Sequence, residues 1–180
     1  MGRLNDLSLA TQVAVFGNKR AFDQLVHQYQ SPVRRFFLNQ TLGNEALSDD
    51  LSQDTFLKAY THIAQYRGTS SFLTWLTRIA YNVFYDYKRA HKQTIGTELP
   101  EGPSACPSAR TGTGEKLDIY GALTQLREDE RTCITLQLID GYAIDEIARI
   151  TNMPVGTVKS HLKRGKDKLA NYLRQNGYDG

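Results

Sequence analysis

Between Thr94 and Gly114 the sequence reads TIGTELPEGPSACPSARTGTG, a stretch that holds three of the chain's five prolines and no helical apolar repeat. Such a stretch cannot sit inside a packed core. It is read as a linker over 94–114, free in solution and mobile, dividing an N-terminal segment over 1–93 from a C-terminal one over 115–176. The apolar fraction of 40% is enough to give each segment a core of its own. In both segments the apolar period stays close to 3.6 and no stretch alternates as a strand does. The expected fold class is all-α, as two small helical domains.

Other classes are excluded early. No apolar run approaches the roughly 20 residues needed to cross a bilayer, and Met1–Ala10 lacks a basic start followed by an apolar stretch. The expectation is a cytoplasmic protein with no membrane insertion. Cys106 and Cys133, the only cysteines, are far apart and belong to no Cys/His cluster of zinc spacing, so neither a disulfide framework nor a metal is expected.

Charge is polarised along the C-terminal segment. Glu115–Glu146 holds eight acids against three bases, a net of −5, whereas Ile147–Arg174 holds seven bases against Asp167, a net of +6. A basic end of this kind attracts a phosphate backbone. Within it, AIDEIARITNMPVGTVKSHLKRGKDKLANYL has the layout of a helix-turn-helix. Ile144, Ile147 and Ala148 form the inner face of a short helix starting near Ala143, Asn152 suits a left-handed turn, and Pro154 opens a second helix. Val158, Leu162 and Leu169 point inward there, leaving Thr157, Lys159, Ser160, His161, Lys163, Arg164 and Lys166 outward, where they can donate to base edges or phosphates. The plainer alternative is a helical hairpin with a solvated basic face. His161 has no second ligand of matching spacing, which argues against a metal or general-base role.

The N-terminal segment carries two further surfaces. Ala21, Phe22, Leu25, Val26 and Tyr29 make one stripe, and Pro32 marks a new helix start before Val33, Phe36 and Phe37. A third helix is expected from an N-cap at Ser48, ending near Tyr66-Arg67-Gly68, with Phe56, Ala59, Tyr60 and Ile63 inward. Leu47, Asp50, Leu51, Asp54, Leu57 and Lys58 then fall on the other side, as leucines beside paired acids that suit a protein partner. These acids could equally be solvated, and DDLSQD could hold Mg²⁺, although no second carboxylate cluster or phosphate loop accompanies it. A fourth helix runs from about Ser71 to about His91, with Phe72, Leu76, Ile79 and Val83 as its core stripe. Its other face presents Trp75, Arg78, Asn82, Tyr85, Asp86 and Arg89, an aromatic and basic platform suited to unstacked single-stranded DNA. Trp75 could also be a packing residue.

Taken together, DDLSQDTFLKAY, YRGTSSFLTWLTRIAYN and MPVGTVKSHLKRGKDKL resemble regions 2.2, 2.3 to 2.4 and 4.2 of sigma factors, in that order and over nearly the whole chain. With two domains and no third between them, the layout is similar to the extracytoplasmic-function group of the sigma-70 family. The resemblance implies a non-enzymatic initiation factor without a cofactor, which binds core RNA polymerase (its β′ clamp helices and β subunit) and promoter DNA, with an anti-sigma factor as a further candidate partner. It implies clamp-helix contacts from Asp50, Leu51, Gln53 and Asp54. It implies a pocket for a flipped minus-10 base from Tyr66, Arg67, Gly68, Thr69, Ser70 and Ser71 with Asn82, and minus-35 contacts from Lys159, Ser160, His161, Lys163 and Arg164. Asp86 departs from a position that is neutral and polar in several relatives, and Lys159 and His161 from positions often held by Arg, so base preferences do not carry over. A response-regulator or quorum-type regulator would share TVKSHL, but the first half has no βαβ alternation and no strand-end aspartate for a receiver.

Overall fold

The computed structural model describes residues 3–94 and 114–177, and all regular structure in them is helical. The expected linker over 94–114 therefore lies, apart from its two end residues, outside the described residues, as does Cys106. The chain forms two compact units, one from Met1–Phe37 and Ala46–Lys92, the other from Leu38–Glu45 and Gln93–Gly180.

In the first unit, helices α1 (Arg3–Phe16), α2 (Lys19–Gln40), α3 (Glu45–His62) and α4 (Phe72–Thr94) surround one core, and a 3₁₀ turn (Ile63–Gln65) follows α3. Helix α1 was not anticipated from sequence. It buries Leu9, Ala10 and Val13. Helix α2 is a single helix rather than two, and Pro32 lies inside it. A mid-helix proline removes one backbone donor and costs about 3 kcal/mol. The helix persists because Leu25, Tyr29, Val33, Phe36 and Phe37 form one buried stripe running straight past it. Helix α3 starts a turn earlier than expected: Leu42 and Gly43 take positive φ, ending the turn after α2, and Ser48 is buried inside the helix instead of capping it.

In the second unit, α5 (Gly114–Thr124), α6 (Glu128–Ile134), a π-helical turn (Thr135–Ile139), α7 (Ile144–Thr151) and α8 (Val155–Gln175) pack around Leu123, Leu126, Cys133, Ile134, Leu136, Ile147, Ile150, Val158 and Leu162. In the π turn, the Asp140 N–H donates to Thr135 O, five residues back, at 3.1 Å. Burial, and then the Asp129 charge, pushes the Cys133 thiol up to about 12, so it stays protonated and behaves as a small apolar group. At the crossing of α6 and α8, a methyl added at Gly165 would lie 2.6 Å from Ile134 Cγ1, so only glycine permits this approach.

Candidate nucleic-acid and partner surfaces

The helix-turn-helix forms as its residues dictate. Ala143 has no side-chain acceptor, so α7 is capped from one side only, the Ala143 N–H donating to Glu146 Oε2 at 3.2 Å. Asn152 ends α7 in the left-handed conformation (φ 56°, ψ 27°), and Pro154 stands immediately before α8. The inner face of α7 differs from expectation. Ile147, Ile150 and Thr151 are buried, with the Thr151 hydroxyl donating to Ile147 O at 2.7 Å, while Ile144 and Ala148 are only half-buried. On α8, Val158, Leu162 and Gly165 face inward. Leu169, expected inward and on the same stripe, is half-buried. Thr157, Lys159, Ser160, Lys163, Arg164 and Lys166 are exposed and His161 is half-buried, so the outward set is a continuous polar face.

Beneath that face lies a group sequence reasoning missed. Glu130 is 2% exposed, yet its carboxylate takes Lys168 Nζ at 2.7 Å, the Arg127 N–H at 3.1 Å and Arg164 Nε at 3.8 Å. Burial alone would raise its pKa. The Lys168 and Arg127 hydrogen bonds and the two positive charges outweigh burial and hold it below the ordinary carboxylate range. Helix α8 is thereby tied to α6. In the sequence Glu130 stands as the last of three consecutive acids, after Glu128 and Asp129, and only packing singles it out.

On α3 the structure corrects the assignment of faces. The buried stripe is Ser48, Leu51, Thr55 and Ala59, continuing to Ile63. Leu51 is 3% exposed and belongs to the core, so it is no part of an outward partner face. Hydroxyls can line this core because they bond within their own helix, Thr55 Oγ1 to Leu51 O at 2.8 Å and Ser52 Oγ to Ser48 O at 2.6 Å. Asp50, Gln53, Asp54, Leu57 and Lys58 are exposed, Leu57 by 65%, and Leu47 is half-buried. Phe56 and Tyr60, expected inward, instead line an open groove of about 830 Å³ with Phe22, Val26 and Leu57. Phe22 and Tyr60 meet edge to face at 5.0 Å there. Asp49, one of the acids weighed as a Mg²⁺ ligand, is held by Arg34 Nε at 2.6 Å.

The loop between α3 and α4 is shaped from inside. Tyr66 is buried, its hydroxyl donating to Ser70 O at 3.0 Å, so this ring is a pillar of the loop and does not line an open pocket. It packs against Phe72 at 5.1 Å and Trp75 at 5.5 Å, which leaves Trp75 half-buried. Ser71 starts α4, its Oγ accepting from the Thr74 N–H at 3.0 Å. Gly68 takes φ +68°, which side chains resist. Arg67, Thr69 and Ser71 are exposed and Ser70 is half-buried. Along α4, Arg78, Asn82, Asp86 and Arg89 are exposed at helical spacing, while Tyr85 is half-buried and stacks on Tyr81 at 4.6 Å. Asp86 accepts from Arg89 at 2.8 Å and from Lys58 of α3 at 3.3 Å. Lys58 thus bridges two helices rather than standing on the α3 face alone.

Among the described residues no group of three or more His, Cys, Asp or Glu side chains could hold a metal ion, and no helix is long and apolar enough to cross a membrane.

Comparison with known proteins covers both units. Residues 25–94 match the family model for Sigma-70 region 2, and residues 116–169 match that for Sigma-70, region 4. A relative from Haemophilus influenzae, the ECF RNA polymerase sigma-E factor, is 30% identical over 96% of this chain and 97% of its own. Two solved structures are similar in fold. The sigma factor RpoE of Bartonella quintana, in complex with the anti-sigma factor NepR, has a TM-score of 0.69 at 26% identity over 85% of this chain and 96% of its own. CnrH, in complex with the cytosolic domain of CnrY, has a TM-score of 0.70 at 27% identity over 96% and 99%.

Proposed function

The chain belongs to the extracytoplasmic-function group of sigma-70 factors, and we propose how its residues divide the work of such a factor. It is an initiation factor and not an enzyme: it binds core RNA polymerase and promoter DNA and directs promoter-specific transcription. In our reading, 1–93 act as region 2, 115–176 as region 4, and 94–114 as the connection between them. Asp50, Gln53, Asp54 and Leu57, flanked by Leu47 and Lys58, meet the β′ clamp helices of the polymerase, whose β subunit is a further contact. Arg67, Gly68, Thr69, Ser70 and Ser71, with Arg78, Asn82 and Arg89, take the unpaired minus-10 strand. Thr157, Lys159, Ser160, His161, Lys163, Arg164 and Lys166 read the minus-35 duplex. The work is done in the cytoplasm, where the polymerase is. An anti-sigma protein restrains the chain, a reading supported by the anti-sigma partner of the Bartonella relative.

The observation that carries this reading is the α8 face, polar and basic from Thr157 to Lys166 above buried Val158, Leu162 and Gly165. A major-groove helix requires that division. Run-off transcription with core enzyme on genomic fragments tests it. Lys159→Ala should relax sequence preference by about 1–3 kcal/mol if the contact is to a base, and Asp54→Lys should abolish core capture in a pull-down while shifting stability by less than about 0.5 kcal/mol. Unchanged promoter choice and unchanged core capture would refute both assignments.

A further inference from the structure

Helix α1 carries no motif and takes part in none of the surfaces described above, yet it holds a buried acid. Asp6 is 4% exposed. Its Oδ2 accepts from the Tyr29 hydroxyl at 2.6 Å and its Oδ1 from Gln28 Nε2 at 3.4 Å. Burial, and then Asp6 itself, raises the pKa of the Tyr29 hydroxyl, which therefore stays a donor. The Tyr29 ring lies 5.3 Å from Phe72, which in turn packs against Tyr66 at 5.1 Å and Trp75 at 5.4 Å. A chain of contacts thus runs from α1 to the inner wall of the loop over 66–71. The next residue reaches the same loop from outside: a methyl placed on Gly68 would lie 3.2 Å from Leu7 Cδ2 and 3.3 Å from Leu7 Cδ1. Inner wall and apex are therefore both fixed by two neighbouring residues of α1.

We propose that α1 is the positioning element of the minus-10 loop: Leu7 closes on Gly68, and Asp6 fixes Tyr66 and Trp75 through Tyr29 and Phe72, so the loop is shaped for an unpaired base before DNA arrives. This inference rests on the reading of that loop given above. Asp6 and Leu7 touch no DNA; they are positioning residues. A short polar loop left to itself samples many conformations, and the ordering it would need on binding weakens affinity. If removing the Leu7 contact leaves the loop correctly shaped about a tenth of the time, affinity for unpaired DNA falls about tenfold.

The sole tryptophan of the chain, Trp75, is a reporter inside this cluster. The full-length chain is labelled with 5-fluorotryptophan for ¹⁹F NMR. Holoenzyme made from it is titrated with a single-stranded oligonucleotide that the wild-type holoenzyme selects from a random pool. For Leu7→Ala, and for Asp6→Asn as the second variant, the expected result is a broadened or split Trp75 resonance and about tenfold weaker oligonucleotide binding. Core affinity and duplex minus-35 affinity should stay unchanged, and Leu7→Met should restore the wild-type behaviour. An unaltered resonance with unaltered oligonucleotide affinity in both variants overturns the proposal. So does a fall in core and duplex affinities in step with the oligonucleotide, which would mark general loss of structure. Thr69→Ala and Asn82→Ala separate this failure from that of the underlying reading. If they weaken oligonucleotide binding while the α1 variants do not, only the role of α1 is lost; if they too bind like wild type, the loop assignment falls and the proposal falls with it.

Discussion

The two surfaces assigned to DNA are built on opposite plans. On α8 the outward residues stand on a regular helix seated by Val158, Leu162 and Gly165, with Glu130 held beneath by Lys168. At the loop between α3 and α4, the exposed residues are few and the supporting aromatics, Tyr29, Tyr66, Phe72 and Trp75, are buried or half-buried behind them. The contrast fits the two tasks proposed for them. A duplex presents its base edges in a groove wide enough for a helix, so a rigid helix with the right outward residues suffices. An unpaired base must be enclosed, and an enclosing loop must be held in shape by a core.

The largest test of this contrast is Phe72→Ala. Phe72 is fully buried at the centre of the aromatic cluster, so its truncation should cost about 3–5 kcal/mol of first-unit stability, read by denaturant unfolding of the full chain. Duplex minus-35 binding should be untouched. A cost below about 1 kcal/mol would show that the cluster does not support the loop.

Glu130→Gln sharpens the other side of the comparison and should cost about 1–3 kcal/mol at neutral pH, since Lys168 and the Arg127 N–H lose a charged acceptor. The folded-state pKa of Glu130 is lowered, so its contribution is complete above the ordinary value near 4.3 and disappears as pH falls through the lower folded value. Denaturation of wild type should therefore show an extra loss of stability below about pH 4 that the Gln variant lacks. Equal acid sensitivity in the two proteins would contradict the assignment of charge to this site.

The smallest effect belongs to the link between surfaces. Lys58 and Asp86 are both about half-exposed, so a double-mutant cycle with alanine should give about 0.2–1 kcal/mol of coupling, vanishing near 1 M salt. Coupling that survives high salt would mean this contact between α3 and α4 is shielded from solvent.

What could be read from the sequence follows the same division. The helix-turn-helix was legible because period, turn residue and charge agree at Asn152, Pro154 and the basic run after Val155. Helix α3 was misread in part because its inner row runs through polar Ser48 and Thr55, while the aromatic Phe56 and Tyr60 lie toward the groove. Apolar period therefore placed Ala59 and Ile63 inward and Leu57 outward correctly, but it set Phe56 and Tyr60 inside and Leu51 outside. Helix α1 was not anticipated because its apolar residues spread round the axis: Leu4, Val15 and Phe16 are exposed, and buried Asp6 interrupts the inner row. Pairing of Asp6 with Tyr29, 23 positions away, cannot be deduced from local spacing. On α4 and α8 most of the outward sets are exposed, but Trp75, Tyr85 and His161 are half-buried, and Tyr66 and Leu51 took inward roles that only packing reveals.

The π turn at Thr135–Ile139 bears on how this chain tolerates insertions and deletions. A five-residue hydrogen-bonded turn accommodates one residue more than an α-helical path through the same space. Wound as ordinary helix with the same number of residues, the segment would deliver everything after it about 100° out of phase, one residue's rotation in a helix of 3.6 residues per turn. Leu136, buried within the turn, and Ile147, at the start of the next inner row, could not both keep their places. The wider turn works as a phase adjuster: it absorbs one surplus residue, so a single deletion here is one that α7 and α8 could follow without a change of aim.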